Sequence, residues 1–365
     1  MEKIKIALIE PFNTGSHKSW ALGLKKYSTH QIDLFTLPGR FWKWRMHGGA
    51  ISLANKILKS KNKYDIFLVT DFIDLGLFKS IVVSVFPEAK FYIYFHENQL
   101  TYPWSVEDKD IELNRDKNYS FINYTGALIA DKVFFNSDYH KKSFLKSLPS
   151  FLKQFPDKNN LKSIDAIEKK SIVLNLAVEL PIFKDKIEKI SKSILWNHRW
   201  EYDKNPNDFF SILKRIKDKG VVFKLIVLGE KTRKFPEIFN RAKVYFKKEI
   251  IHFGYVPSKD EYLNLLLKSE ILPVTSNQEF FGVSTIEAMH SNVYPLLPNR
   301  LAFPEHIPKD KQDIHLYDTN EELEIKLTKL LTGNYKKELY TDWVRKYSWQ
   351  NSIDKYDMLL VNNLD

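Results

Sequence analysis

The stretch EILPVTSNQEFFGVSTIEAMHS, residues 270–291, passes from a short apolar run through a polar loop into an amphipathic helical pattern. The apolar run has no polar alternation, so it predicts a strand buried in a parallel sheet. Gly282 lies where the loop enters the helix, and a glycine there lets backbone N–H groups approach a ligand closely. A helix N-terminus also attracts anions. The stretch therefore predicts an α/β fold with an anion site at Phe281, Gly282 and Val283.

The same alternation of strand and helix recurs along the whole chain. Buried strands are predicted at 4–10, 31–37, 64–70, 90–96, 131–137 and 171–178, and again at 193–200, 223–230, 250–256, 270–276 and 293–298. Two such series predict two doubly wound Rossmann-like domains, at residues 1–185 and 186–340. The last amphipathic stretch, 341–365, is predicted to pack back on the first domain. Ligands of such sheets bind at the carboxyl ends of the strands, so we expect the two domains to face a cleft there.

The composition narrows the classes of function. The chain has 365 residues, of which 44% are hydrophobic and 28% are charged, as in a globular protein. It contains no cysteine, which excludes disulfides, thiolate nucleophiles and cysteine-ligated metals. No signal peptide or membrane helix is predicted, and we expect a cytoplasmic protein without stable membrane association. No metal-ligand spacing such as HExxH occurs, so neither a metal nor a cofactor is expected.

The net charge of +11 is unevenly distributed. Residues 1–63 carry 12 basic and 3 acidic side chains, and residues 151–250 sum to +10. The segments 64–150 and 251–365 are net acidic. This distribution favours a polyanionic partner such as nucleic acid or an anionic membrane, although a solvated lysine face gives the same totals.

An aromatic and basic segment, FWKWRMHGG at 41–49, lies in the first positive region. Rings that stack on unpaired bases, interleaved with cations for phosphates, are typical of single-stranded RNA sites. Trp42, Lys43, Trp44 and Arg45 are therefore candidate contacts to an RNA acceptor. The alternative is a strand edge whose two tryptophans belong to the core.

Two polar clusters follow predicted strands of the first domain. In TGSHK, Gly15 and Ser16 can offer backbone N–H groups to a phosphate, and His17 can add a donor, unless Gly15 only forms a turn. The second cluster follows the fourth strand, where polar groups in an apolar setting are costly unless they are paired or used. Its members are His96, Glu97 and Asn98.

Two glutamates in the opening stretch are candidates for binding hydroxyl groups. Glu279 lies in the loop and Glu287 about one turn into the helix, so both carboxylates can accept hydrogen bonds from a sugar and a ribose. A structural alternative exists, because Ser284 and Glu287 also match the S-x-x-E capping box of a helix N-terminus.

With Glu279 and Glu287 eight residues apart, this segment resembles the E-x7-E signature of the retaining GT-B glycosyltransferases of family 4. The resemblance extends to LWNHRWEYDKNP, where it implies that Arg199 and Lys204 grip the donor diphosphate. Surface charges beside a turn are the alternative for this segment. It also extends to HFGYVPSKDEYLNLL, where it implies contacts to the nucleotide from Gly254, Tyr255 and Val256.

Three further segments narrow the resemblance within that family. IEPFNTGSHKSWALGL, LPGRFWKWRMHGGA and YFHENQLTYPW resemble the tRNA-queuosine mannosyltransferase group. This implies retaining transfer of mannose from GDP-mannose to the cyclopentene-diol of queuosine in a tRNA anticodon loop, without a metal. It further implies catalytic roles for His96, Arg199, Lys204 and Glu279. We also expect His17, Glu97 and Asn98 to contact the acceptor. Two alternatives remain: a family 4 enzyme acting on lipid or polysaccharide at a membrane surface, and a noncatalytic RNA-binding protein.

Overall fold

The computed structural model describes residues 3–105, 108–113, 115–183, 187–231, 235–333, 335 and 338–361. By its internal contacts the chain divides into two compact units. The first comprises Met1–Glu179 together with Tyr347–Asp365, and the second comprises Leu180–Lys346. The boundaries expected from the sequence, at 185/186 and 340/341, lie a few residues from these junctions. Both units are built on a parallel sheet with helices in the connections.

The first unit contains a six-stranded parallel sheet. Its strands are β1 (Lys5–Asn13), β2 (Gln31–Pro38), β3 (Ile66–Thr70), β4 (Lys90–Phe95), β5 (Lys132–Phe135) and β6 (Ser171–Val173). They lie in the order β2-β1-β3-β4-β5-β6, and every residue of β3 and β5 is buried. The direction of winding reverses between β1 and β3. In doubly wound folds such a switch point opens a crevice outside the carboxyl ends of the strands.

The helices of the first unit lie in the connections between these strands, apart from the last, which follows the second unit in sequence. They are α1 (Gly15–Tyr27), α2 (Trp42–Leu58), α3 (Leu75–Val82), α4 (Lys109–Glu112), α5 (Asp116–Ile129), α6 (Asp138–Leu152), α7 (Ser163–Lys169) and α15 (Trp349–Val361). The core between sheet and helices is rich in aromatic rings, and Phe67 and Phe91 of β3 and β4 stack at 5.1 Å between centroids.

The second unit repeats this plan with a different strand order. Its strands are β7 (Ser193–Trp196), β8 (Lys224–Val227), β9 (Ile250–Phe253), β10 (Ile271–Pro273), β11 (Tyr294–Pro298) and β12 (Leu316–Tyr317). The order is β12-β11-β10-β7-β8-β9, so the switch point falls between β7 and β10. Strand β12 was not predicted, because its two residues are too short to give a sequence pattern.

The helices of the second unit are α8 (Pro206–Asp218), α9 (Ile238–Tyr245), α10 (Lys259–Lys268), α11 (Val283–His290), α12 (Gln312–His315), α13 (Asn320–Thr332) and α14 (Tyr340–Val344). Short 3₁₀ turns are found at Tyr202–Lys204, Phe303–His306, Lys309–Lys311 and Arg345–Tyr347. Helix α8 ends before Gly220, whose φ of +79° reverses the chain as the sequence predicts. The α/β fold class with two Rossmann-like units is confirmed. Within the described ranges, no helix has the length and apolar character needed to cross a bilayer.

Helix α15 packs on the first unit against α1. Trp20 donates from its indole nitrogen to the hydroxyl of Tyr356 at 3.0 Å. Trp349 lies over Gly23, where a Cβ would come within 2.1 Å of the indole nitrogen, so a larger residue would displace the helix. The last helix therefore returns to the first unit, as predicted.

We expect Asp357→Ala to lower the free energy of unfolding by about 3 kcal/mol, because bonds to a charged acceptor contribute about 1.5–3 kcal/mol each and do not add fully. Asp357 is buried and accepts from Ser28 Oγ, Thr29 N and Thr29 Oγ1 at 2.6, 2.8 and 2.6 Å. Urea denaturation followed by tryptophan fluorescence measures the loss. Asp354→Ala, at an exposed position of the same helix, is the control, and an equal loss in both variants would contradict the expectation.

Candidate active site

Four ionisable side chains meet at the switch point of the first unit. Glu10 lies in β1 and is fully buried, whereas Asp71 and His96 directly follow β3 and β4. His17, in the first turn of α1, has its Nδ1 3.1 Å from Glu10 Oε2 and its ring centroid 4.1 Å from that of His96. The backbone N–H of His96 donates to Asp71 Oδ1 at 2.8 Å. The strand order thus gathers acids and imidazoles where a ligand is expected.

These neighbours give the two histidines different charges. Burial would lower the pKa of His17, but the Glu10 carboxylate raises it to about 9. Burial lowers the pKa of His96 well below its ordinary value, and the charge of His17 acts in the same direction. Both ring nitrogens of His96 are buried and have no hydrogen-bond partner among the described residues. His96 is therefore a neutral imidazole with open hydrogen-bonding capacity.

Asp71 is a third perturbed group at this edge. Burial raises its pKa to about 8, while the His17 charge opposes that rise. At neutral pH its carboxyl group is mostly protonated, and it still accepts the His96 backbone N–H through a carboxyl oxygen. The aspartate thus fixes the backbone at His96 without placing a full negative charge there.

Glu10, His17 and His96 also approach the arrangement of a metal site. Among the described residues they form the one group of possible ligands, with ligand atoms within 4.8 Å of one another. Metal ions bind neutral imidazole, whereas the raised pKa of His17 keeps a proton on its ring beside Glu10. Without a metal, His17 and Glu10 form a hydrogen-bonded pair of a cation and a carboxylate at neutral pH.

Gly15 and Ser16 open helix α1 and are exposed. Gly15 has a φ of +50°, and the Thr14 side chain makes no capping hydrogen bond. The first N–H groups of α1 thus lie at the edge that carries His17. His17 itself was predicted as an acceptor contact, but it is 7% exposed and directed at Glu10 and His96.

Glu97 and Asn98 mainly shape the turn after β4. Asn98 Oδ1 accepts from the backbone N–H groups of Leu100 and Thr101 at 3.0 and 2.9 Å. Glu97 Oε1 accepts from Gln99 Nε2 at 2.9 Å. Asn98 therefore has a local structural role that the sequence did not predict. Its hydrogen bonds stabilise the turn that follows His96.

The segment at 41–45 begins helix α2 and is not a strand edge. Trp42 packs among Phe72, Trp104 and Tyr119, with centroid distances of 5.9, 5.9 and 5.1 Å. Trp44, by contrast, is 63% exposed. The two tryptophans thus divide between the interior and the surface.

The cations of this segment are also held differently. Lys43 Nζ lies 2.6 Å from carboxylate oxygens of both Asp108 and Asp110, which raise its pKa against the effect of burial. Arg45 Nε donates to Pro38 O at 3.3 Å. Lys43 therefore connects α2 to α4. The exposed residues of the segment are better placed than Lys43 to contact RNA.

In the second unit, Lys204 lies buried beside the switch point. Its Nζ is 3.1 Å from Asp203 Oδ2 and 3.2 Å from Glu279 Oε2, and it donates to Gln278 O at 3.0 Å. Burial would lower the pKa of Lys204, but Glu279 and Asp203 raise it above its ordinary value. A buried cation paired with carboxylates in this way stays charged.

The loop that carries Glu279 leads into helix α11, as predicted. Gly282, with a φ of +95°, stands at the N-cap and offers no side chain to the helix N–H groups. Phe281 N approaches Glu279 Oε1 at 3.5 Å, and Val283 is the first residue of the helix. The N–H groups at Phe281, Gly282 and Val283 therefore lie close to the Lys204–Glu279 ion pair.

Glu287 is not part of a capping box. Its Oε2 accepts from the Tyr262 hydroxyl at 2.8 Å, and Ser284 Oγ lies 2.9 Å from His198 Nδ1. The helix begins at Val283, so Ser284 is inside it and does not occupy the N-cap. Burial raises the pKa of Glu287, while Tyr262 opposes the rise. The carboxylate is positioned by the Tyr262 side chain, and among the described residues nothing donates to its second oxygen.

Arg199 and the 254–256 loop lie at the same carboxyl edge. Arg199 follows β7, has a 59% exposed side chain and forms an ion pair with Glu201 at 3.1 Å. Gly254 follows β9 with a φ of +144°, Tyr255 is 59% exposed and Val256 is buried. The donor-side candidates of the second unit thus lie at the carboxyl edge of its sheet or at the start of a helix that follows it. The other two, Gly15 and Ser16, lie at the start of α1 in the first unit.

The comparisons with known proteins cover nearly the whole chain. A family model described as tRNA-queuosine alpha-mannosyltransferase N-terminal matches residues 5–178, and one described as Glycosyl transferases group 1 matches residues 180–347. A tRNA-queuosine alpha-mannosyltransferase from Drosophila melanogaster is 32% identical over 337 residues, which span 89% of this chain and 86% of the relative. The chain belongs to the tRNA-queuosine alpha-mannosyltransferase family. It is therefore a glycosyltransferase, as the sequence predicts.

Solved structures support the fold of this family member. HepE from Anabaena, solved with UDP and glucose, has a TM-score of 0.64 at 12% identity, with 99% of each chain covered. Sucrose-phosphate synthase from Thermosynechococcus elongatus has a TM-score of 0.68 at 12% identity, with 98% of each chain covered. At this identity the likeness concerns the fold alone, and it agrees with the GT-B class.

Sequence reasoning missed three residues of the candidate site in this glycosyltransferase. Glu10 and Asp71 are acids at the ends of predicted strands, a signal that was available but is common in α/β proteins. His198 is buried against Ser284, and burial lowers its pKa to about 3. Only the strand order shows that Glu10 and Asp71 flank one switch point.

We expect His17→Gln to remove a pH dependence of stability. The folded pKa of about 9 exceeds the ordinary 6.5, so the ion pair with Glu10 stabilises fully below about pH 6.5 and loses that effect as pH rises through 9. The wild-type melting temperature should therefore fall between pH 6.5 and 9.5 more steeply than that of the variant.

Differential scanning fluorimetry across that range measures the difference. Asp71 titrates in the same direction, so only the difference between the two proteins is informative. His47→Gln, at an exposed position, is the control. Parallel curves for the wild type and His17→Gln would contradict the assignment.

Proposed function

We propose that this family member transfers mannose from GDP-mannose to a hydroxyl of the queuosine cyclopentene-diol in a tRNA anticodon loop, with retention of configuration. The observation that carries the proposal is the buried cation Lys204, held 3.2 Å from Glu279 beside the N-terminus of α11. The name of the Drosophila relative supports mannose and queuosine. A tRNA acceptor makes the cytoplasm the place of the reaction.

The proposed reaction exchanges one bond at the anomeric carbon for another. The bond to the diphosphate oxygen breaks, and a bond to the queuosine hydroxyl oxygen forms on the same face of the sugar. The leaving phosphate oxygen takes the hydroxyl proton, so no protein base is needed. The main demand on the protein is then to stabilise negative charge that develops on the leaving diphosphate.

Lys204, Arg199 and the start of α11 meet that demand. Lys204 remains charged because Glu279 and Asp203 offset its burial. Arg199 is exposed at the same edge and can exchange Glu201 for a phosphate. The N–H groups at Gly282 and Val283 add partial positive charge. In other transferases a metal cation stabilises the charge of the leaving diphosphate. Here these groups do so, and we expect no metal in the reaction.

The remaining donor contacts follow from the hydrogen-bonding groups of each residue and from its position at the sheet edge. Glu279, whose Oε2 faces Lys204, positions sugar hydroxyls next to the diphosphate. Glu287, held by Tyr262, accepts from the ribose hydroxyls. Gly254, Tyr255 and Val256 form the loop for the guanine base.

The first unit supplies the acceptor side and His96. The neutral ring of His96, with both nitrogens unpartnered among the described residues, can hydrogen-bond a sugar hydroxyl. Gly15 and Ser16 open α1 at the same edge and can meet a phosphate oxygen. Burial lowers the pKa of His96 and keeps it neutral, and the charge of His17 acts in the same direction.

A direct assay tests the proposed function. The wild-type protein should add one hexose to queuosine when it is incubated with GDP-mannose and queuosine-containing tRNA, as measured by mass spectrometry of the digested nucleosides. The same tRNA with guanine in place of queuosine is the control and should remain unchanged. Absence of a hexose adduct with every common sugar nucleotide would refute the proposal.

We expect Glu287→Gln to raise the KM for GDP-mannose by roughly 10-fold or more, because a bond to a charged acceptor contributes about 1.5–3 kcal/mol. The KM for tRNA should change little. Glu261→Gln, at an exposed position of the neighbouring helix α10, is the control. If the KM for GDP-mannose were unchanged in Glu287→Gln, the residue would not contact the donor, and its role would be the structural hydrogen bond with Tyr262.

A further inference from the structure

Two large aromatic side chains lie exposed at the start of helix α2. Phe41, directly before the helix, is 70% exposed, and Trp44 is 63% exposed. Trp44 lies in the first turn of the helix, three residues after Phe41. Single exposed apolar residues are common, but two large rings exposed three residues apart present an apolar surface that calls for a partner.

The protein backbone is adapted to this exposure. A Cβ on Gly48 would lie 2.7 Å from Cζ2 of Trp44, so the glycine lets the indole ring lie close against the helix. Phe41 has a φ of +57°, a conformation that non-glycine residues rarely adopt. The guanidinium of Arg40 lies 5.7 Å from the Phe41 ring centroid. The Trp44 ring thus lies against the helix, and the Phe41 ring lies beside a cation.

The segment that carries the exposed pair packs on the elements that carry the reaction groups of the first unit. A Cβ on Gly39 would come within 2.3 Å of the Thr14 side chain, so the loop before α2 packs directly on the loop that carries Gly15. A chain of ring contacts also links the start of α2 to His96. It runs from Trp42 to Phe72 at 5.9 Å, from Phe72 to His17 at 5.4 Å and from His17 to His96 at 4.1 Å.

The charge around the pair favours a polyanion. Residues 34–64 contain seven lysines and arginines and no acidic residue. Lys43 is neutralised by Asp108 and Asp110. Arg40 and Arg45 flank the exposed rings in sequence, whereas the other four cations lie at or beyond the C-terminal end of α2. Exposed rings flanked by cations match an unpaired nucleic acid strand, whose bases stack and whose phosphates are anionic.

Helix α2 does not have the form of a membrane anchor. Such a helix lays a continuous apolar face into the bilayer. The apolar stripe of α2 is instead buried in the core of its own unit and comprises Met46, Gly49, Ala50, Leu53, Ala54 and Ile57. On its outer face Ile51 and Leu58 are also exposed, at 48% and 38%. The exposed tryptophan and phenylalanine rings, however, are confined to the N-terminal end, and flat rings suit a few bases.

We propose that Phe41 and Trp44, with Arg40 and Arg45 beside them, form a stacking platform for the unpaired loop bases next to the modified nucleotide. The inference rests on the proposed function, since the acceptor is a tRNA loop. The rings hold neighbouring bases, and the loop then presents its queuosine towards the edge that carries His96.

Kinetics with the full-length protein test the platform. Because base stacking on one ring contributes about 1–3 kcal/mol, Phe41→Ala and Trp44→Ala should each raise the KM for queuosine-containing tRNA roughly 10-fold. The kcat and the KM for GDP-mannose should stay within about 2-fold. Trp44→Phe should restore most of the affinity, because a flat ring is what the bases need.

Ile51→Ala is the matched control, since Ile51 is 48% exposed on the same helix and lies outside the platform. Its KM for tRNA should equal that of the wild type. If Phe41→Ala and Trp44→Ala leave the KM for tRNA unchanged while the wild type transfers mannose, the platform is refuted and the proposed function stands.

A binding measurement separates the platform from the activity. The probe is an anticodon stem-loop RNA with 2-aminopurine at one loop position beside the queuosine site. Wild-type protein and Ile51→Ala should quench its fluorescence by stacking, and Trp44→Ala should not. Quenching by the wild type without any mannose transfer would support the platform and refute the proposed function.

Vesicles of phosphatidylglycerol test the competing partner. Sedimentation with these vesicles should be the same for the wild type and for Trp44→Ala. If the substitution abolished vesicle binding and left 2-aminopurine quenching intact, the exposed rings would belong to a lipid contact and the platform would be refuted.

Discussion

A parallel sheet places the carboxyl ends of all its strands at one edge, and a reversal of winding leaves a crevice at that edge. Both units of this protein use this constraint. In the first, the reversal between β1 and β3 gathers Glu10, Asp71 and the two histidines. In the second, the reversal between β7 and β10 gathers Arg199, Lys204 and Glu279. Strand order therefore determines where each site lies in its unit, and the side chains gathered there determine its chemistry.

Each crevice also contains a buried cation that is held by carboxylates. His17 lies against Glu10 in the first unit, and Lys204 lies against Asp203 and Glu279 in the second. A buried charge is costly unless it is paired, so these carboxylates keep each cation charged inside the protein. Around Lys204 this arrangement preserves a cation beside the start of α11. Around His17 the charge adds to the effect of burial, which lowers the pKa of the neighbouring His96.

The fold could be predicted from the sequence because buried parallel strands are continuous apolar runs. The predicted strand at 193–200 extends too far, because after Trp196 the chain leaves the sheet to place Asn197, His198 and Arg199 at its edge. The glutamate pair and Gly282 were found from local spacing. The partners of His17 and the division of Trp42 and Trp44 between core and surface depend on packing between distant segments, which local patterns do not encode.

The contact between α1 and α15 has a consequence for synthesis. The first unit is discontinuous in the chain: Trp20 and Gly23 pack against residues that follow the entire second unit. Domains generally fold as units while the chain emerges from the ribosome. Here the sheet of the first unit emerges early, yet the apolar surface of α1 stays uncovered until residues 349–361 have been made. The second unit is therefore complete in sequence, and free to fold, before the first can close.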